Sequence, residues 1–260
     1  MNLRELWDSG RVTIGGWCGI PSPFVTELMG RAGFDWVCID TQHGLIGYDT
    51  MLLMLEAGTA AGVPCFVRVP WNQPSDIMKA LDAGAQGVIV PMVNSPAEAE
   101  AAVAACKYPP EGFRSWGPTR ASLGNPTFTP QSGNRSVVCA VMVETVGGVA
   151  TLDQIAAVPG VDAIFVGPSD LAVTHGLPPT ASQWGDAHDQ LIRKILAACV
   201  KANVAPGISC PDAETAIRWR DMGYRMLSVG SDLAFLRREA TETVTDVRGQ
   251  SQMAREASMY

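Results

Sequence analysis

The chain has 260 residues, 47% of them hydrophobic and 17% charged, and carries a formal net charge of −7. That balance excludes a disordered polyampholyte and gives no electrostatic reason to bind nucleic acid or an anionic bilayer, so a small-molecule partner is expected. One (β/α)8 barrel commonly takes about 250 residues, and the whole chain is read as a single such domain.

Seven cysteines are scattered without a C-x-x-C pair, several inside apolar runs, and are read as reduced core residues. Charges interrupt the apolar residues of Met1-Asn2-Leu3-Arg4-Glu5-Leu6, so no signal peptide or membrane span is expected there, and the cytoplasm is the expected location.

Strand and helix then alternate. Leu3–Asp8 is a short helix that caps the bottom of the fold, and Val12–Cys18 is the first strand. Ser22 caps a helix over Phe24–Ala32, with Pro23 where a proline is tolerated. Strands follow at Phe34–Ile39, Cys65–Val69 and Gly87–Val90, separated by helices at Tyr48–Ala61 and Ser75–Ala83. A helix capped by Ser95 runs to about Lys107. From Tyr108 to Arg135 the rhythm breaks into a loop rich in Pro, Gly and Ser, whose Arg114, Trp116, Arg120 and Phe128 favour an ordered role.

The chain is organised around Val137 to Leu171. Val137–Val143 is a buried strand that stops at Glu144, a helix covers about Gly147–Val158, and Asp162–Val166 is a second buried strand leading into Gly167-Pro168-Ser169-Asp170. Strand, helix, strand in that order makes a parallel pair with both exits on one edge, so two carboxylates face one crevice. Their repulsion calls for a shared proton or a divalent cation. A polar loop over His175–Gly185, helices at Asp186–Ala202, Asp212–Met222 and Ser231–Val247, and strands at Val204–Ser209 and Met226–Val229 complete eight alternations. The tail from Arg248 to Tyr260 suits disorder or packing on another subunit.

In a barrel of this kind the active site lies where strands end. The exits are Trp17, Asp40 with Gln42 and His43 just beyond, Arg68, Pro91, Glu144, Asp170, the vicinity of Ser209, and Gly230. Asp-x-x-His at a strand exit fits an ordinary turn, and it also suits a carboxylate orienting an imidazole for proton transfer. Arg68 needs an anion, which could be Asp82 or a substrate carboxylate. Asp82 lies near a helix C-terminus, where the dipole disfavours an acid, so His43 or Arg68 is a candidate partner. His175 is read as a loop residue and His188 as lying on a helix surface. The lysines, 79, 107, 194 and 201, lie on predicted helices or loop edges, so a Schiff-base mechanism lacks its nucleophile.

Phe34-Asp35-Trp36-Val37-Cys38-Ile39-Asp40-Thr41-Gln42-His43-Gly44, Val67-Arg68-Val69-Pro70 and the run from Leu81 to Val93 resemble successive blocks of the HpcH/HpaI aldolase family. Met142-Val143-Glu144-Thr145 and Ile164–Leu171 resemble its metal-binding blocks, in the same order. The resemblance spans about Trp17 to Ser231 and implies a class II pyruvate aldolase of the 4-hydroxy-2-oxoheptanedioate type.

By that resemblance Glu144 and Asp170 ligate a divalent ion such as Mg, Mn or Co, and Arg68 holds a 2-oxo acid, pyruvate or hydroxypyruvate, that adds to an aldehyde. His43, paired with Asp40 or Asp82, is the base. Trp17 lines the pocket, Gln42 belongs to the substrate side, and backbone amides across Gly167, Pro168 and Ser169 seat the carboxylate. Gln42 departs from many members, which carry Glu there. The resemblance also implies a hexamer built from trimers or dimers, with the last helix exchanged between subunits. Two other readings are a non-catalytic barrel that binds a 2-oxo acid or metal, and a lyase of phosphoenolpyruvate or citryl-CoA type.

Overall fold

A computed structural model describes residues 3–180 and 185–249. Eight parallel strands close into a barrel in sequence order. They are β1 (Thr13–Cys18), β2 (Trp36–Asp40), β3 (Cys65–Arg68), β4 (Gly87–Val90), β5 (Val138–Met142), β6 (Ala163–Val166), β7 (Ala205–Cys210) and β8 (Met226–Ser231). Strands 2, 4, 5 and 6 are buried at every position, as expected of strands covered by packing on both faces.

Alternation along each strand divides the core in two. Val37, Ile39, Cys65, Val67, Val88, Val141 and Ile164 face outward into the layer beneath the helices. Trp36, Cys38, Phe66, Ile89, Val138, Ala140, Met142, Ala163 and Phe165 fill the barrel. Gly15 makes room for the indole of Trp36, which any Cβ at that position would strike. The expected N-terminal cap is α1 (Leu3–Asp8), whose Leu3, Leu6 and Trp7 close the bottom of this inner cluster. All seven cysteines are buried and free.

Around the barrel run α2 (Pro23–Arg31), α3 (Tyr48–Ala61), α4 (Pro74–Asp82), α5 (Pro96–Cys106), α6 (Pro130–Ser136), α7 (Val146–Ala150), α8 (Leu152–Ala156), α9 (Pro168–Thr174), α10 (Asp186–Ala202), α11 (Ala213–Met222) and α12 (Asp232–Val247). Ser22, Ser95, Asp212 and Ser231 each cap a helix with a side-chain oxygen.

Three sequence readings change. The loop after α5 ends in α6, started by a Thr129–Ser132 capping box and Pro130 at the first helical position. The helix expected over Gly147–Val158 is two short ones joined at Thr151. Asp170 stands not at the end of a strand but in the first turn of α9. Residues 181–184 of the loop before α10 and the tail from Gln250 lie outside the described residues.

Candidate active site

The inner alternation continues upward into the mouth of the barrel. Trp36, Cys38 and Asp40 share one face of β2, Phe66 and Arg68 one face of β3, and the same two-residue step carries Met142 to Glu144 and Phe165 to Gly167. These positions open on a cavity of about 460 Å³, whose walls include Trp17, Asp40, His43, Arg68, Glu144 and Asp170. Gly167, Pro168 and Ser169 line it too, and Leu233 and Ala234 of α12 form its rim. Among the described residues no lysine lines it.

On the side of strands 2 and 3 the charges are matched inside the chain. Asp40 and Arg68 are register partners across β2 and β3. Arg68 Nε donates to Asp40 Oδ1 at 2.9 Å and Nη2 to Oδ2 at 2.5 Å, a bidentate fork. Trp17 Nε1 donates to Oδ2 at 3.1 Å, its ring lies 4.9 Å from the guanidinium carbon, and the amides of Gln42 and His43 donate to Oδ1 at 3.0 and 3.2 Å. Burial alone raises the Asp40 carboxyl, but these donors, Arg68 foremost, hold it below the usual carboxylate range.

Four expectations are corrected here. The partner of Arg68 is Asp40, not Asp82. Asp40 engages the backbone of His43, while the exposed imidazole makes no hydrogen bond among the described residues. Asp82 accepts from Arg114 Nη2 at 2.6 Å and is not part of this cavity wall. Its helix-end position is neutralised by a cation from the long loop, so within the chain it is an anchor for that loop. Gln42 also stands off the wall, with its buried Oε1 lacking a partner.

On the side of strands 5 and 6 the charges are unmatched. Glu144 is 1% exposed. Its Oε1 accepts from the amide of Met92 at 2.8 Å, and Oε2 has no partner. Met92 takes a left-handed backbone conformation, φ 58°, just past β4, the kind of local strain that concentrates at functional sites. Gly167 packs against Oε2 so closely that a Cβ there would collide with it. Burial, with a contribution from the charge of Asp170, pushes the Glu144 carboxyl up to about 7 against the opposing Met92 bond and Arg68 charge. Pro168 has no N–H, so only Gly167 and Ser169 of that turn could offer amides to an anion.

His188 overturns its surface assignment. It is 0% exposed, and its Nε2 donates to the carbonyl of Pro168 at 2.9 Å. The flanking Asp186 and Asp189 of α10 give its segment the look of a solvent face.

Residues 14–238 match the HpcH/HpaI aldolase/citrate lyase family. The chain belongs to that family. It is 36% identical over 246 residues to the hydroxypyruvate/pyruvate aldolase of Rhizorhabdus wittichii, covering 95% of this chain and 98% of the relative. Over 241 residues it is 37% identical to the 5-keto-4-deoxy-D-glucarate aldolase of Klebsiella pneumoniae, at 91% and 92% coverage. A crystal structure of a family protein from Burkholderia cenocepacia superposes with a TM-score of 0.88 at 32% identity, covering 95% and 98% of the two chains. The family membership expected from five sequence blocks is thereby established, and with it the class of enzyme, a carbon–carbon lyase. Among the described residues no helix is long and apolar enough to cross a membrane.

Proposed function

We propose that this family member is a divalent-metal-dependent aldolase that joins the enolate of pyruvate or hydroxypyruvate to an aldehyde, or cleaves the product. The observation that carries this reading is the buried, unpartnered Oε2 of Glu144, whose carboxyl is pushed up to about 7 with Asp170 contributing to the rise. Within the chain only the Met92 amide and the Arg68 charge favour its ionised form, and a cation bound at Oε2 would add to them. Among the described residues no group of three or more His, Cys, Asp or Glu is arranged so that it could hold a metal ion. Two carboxylates nonetheless fit a hard ion such as Mg, Mn or Co, which fills its remaining positions with water and substrate oxygens.

Glu144 and Asp170 would hold the ion. Bound there, it would supply Lewis-acid polarisation of a 2-oxo carbonyl. Arg68 is already fixed by Asp40 through Nε and Nη2, which leaves the rest of its fork to grip the substrate carboxylate without a search for its own orientation. Trp17 lies against the guanidinium and forms a flat wall for the substrate. His43, on the cavity wall with its imidazole unengaged, takes the proton from the carbon next to the carbonyl and returns it in the reverse direction. The turn at Gly167 and Ser169 closes the carboxylate end.

The aldehyde half enters beneath α12, whose Leu233 and Ala234 form part of the wall. On that helix Leu233 and Leu236 are 54% and 63% exposed. This apolar surface supports assembly into a homo-oligomer, a hexamer by family likeness, in which the last helix packs on a neighbouring copy.

The experiment is proton exchange at the methyl group of pyruvate in deuterated buffer. Exchange that requires added Mn²⁺ or Mg²⁺ and stops with chelator is expected. Its absence with metal in excess would leave a binding barrel without catalysis.

A further inference from the structure

The short helix α9 carries Ser169 and Asp170 to the cavity, anchored by its buried Leu171 and Ala172 and by Thr174 Oγ1, which donates to the Glu144 carbonyl at 3.3 Å. It has seven residues. Its N-cap is Gly167, which makes no side-chain capping bond. Two of its carbonyls meet imidazoles, one from its own C-cap residue His175 and one from α10. His188, in the first turn of α10, donates from Nε2 to the Pro168 carbonyl at 2.9 Å, and His175 Nδ1 lies 2.8 Å from the Leu171 carbonyl. Pro168 and Leu171 flank Ser169 and Asp170.

His188 is completely buried. Burial lowers its pKa against the opposing Pro168 bond, which favours the neutral imidazole. A neutral imidazole that donates from Nε2 holds one tautomer, and its direction is fixed by packing. That is the arrangement by which residues outside a metal's own ligands keep a ligand oriented.

We propose that His188 is a positioning residue for the Asp170 side of the site, acting through the Pro168 carbonyl, and that it sets the affinity for the divalent cation without touching it. The inference rests on the reading that Glu144 and Asp170 hold that cation. It assigns a role to the one histidine of the three that neither lines the cavity nor closes α9.

The test is Mn²⁺ binding followed by electron paramagnetic resonance and calorimetry on the full chain, with the melting temperature of the metal-free protein as the control for folding. His188→Leu fills the same space and removes the donor, and it is expected to raise the Mn²⁺ dissociation constant about 10- to 100-fold. His188→Gln carries an amide nitrogen at the same number of bonds from Cα as Nε2 and is expected to restore affinity to within a factor of about three of wild type. His188→Asn, whose nitrogen falls short, is expected to behave like the leucine variant. If His188→Leu does not fold, the contrast between Gln and Asn carries the same information.

Wild-type affinity in His188→Leu, or equal affinities for Gln and Asn, would overturn the proposal. Failure of the wild-type chain to bind Mn²⁺ at all would instead overturn the reading of Glu144 and Asp170.

Discussion

The two sides of the barrel mouth are built on opposite principles. At strands 2 and 3, Asp40 receives two bonds from Arg68, one from Trp17 and two backbone amides, and its carboxyl is held low. At strands 5 and 6, Glu144 receives one amide, keeps a buried oxygen without a partner, and its carboxyl is pushed up to about 7. The first side is electrostatically complete, so its contribution is rigidity: it presents an aimed guanidinium. The second is incomplete, and its contribution is an appetite for positive charge. Internal charge pairing is concentrated on one side and the unpaired acid on the other, while both line the same cavity.

Substitution separates the two most sharply. Glu144→Ala is expected to lower metal-dependent activity by about 10³-fold, the loss of several kcal/mol of charge stabilisation, while leaving the metal-free melting temperature equal to or above that of wild type. Undiminished turnover at saturating metal would erase the functional half of the contrast.

Asp40→Ala should do the reverse to the fold. It strands a guanidinium whose side chain is 11% exposed, and a cost of about 3–5 kcal/mol in urea unfolding is expected. A change under about 1 kcal/mol would mean that the pair is not the rigid element described.

The subtlest difference lies in pH. The folded-state pKa of Glu144 is raised from 4.5 to about 7, so the folded chain binds the extra proton, and metal-free stability from this group falls as pH rises between those values. Asp40 is lowered from 3.8, so its contribution is present above that value and is lost as pH falls through the folded pKa. Glu144→Gln should therefore flatten the near-neutral slope of a urea-midpoint profile and leave the acid limb in place. A profile unchanged by that substitution would contradict the assignment.

Much of this was legible in the sequence because barrel strands are short, apolar and separated by capped helices, and because Asp40, Arg68 and Glu144 interrupt apolar runs where those runs end. What could not be read was register. The Asp40–Arg68 pair depends on which residues stand opposite each other across β2 and β3, and 28 positions separate them in the chain. Asp82 was given to the site because a helix-end acid lacks a local partner, whereas Arg114 arrives from 32 residues away. Helix α6 has no apolar periodicity, and its signal was confined to Thr129, Pro130 and Ser132. His188 was hidden by acidic neighbours, since burial of one face of α10 against α9 is a property of packing.

The central claim is that the unmatched acids form a cation site. Titration of the full chain with Mn²⁺ at pH 7.5, followed by electron paramagnetic resonance, tests it most directly. One tightly bound ion per chain is expected in the wild type and in Asp82→Asn, with binding lost in Glu144→Gln and in Asp170→Asn. Retention of that ion in both site variants, or its absence from the wild type, would contradict the account.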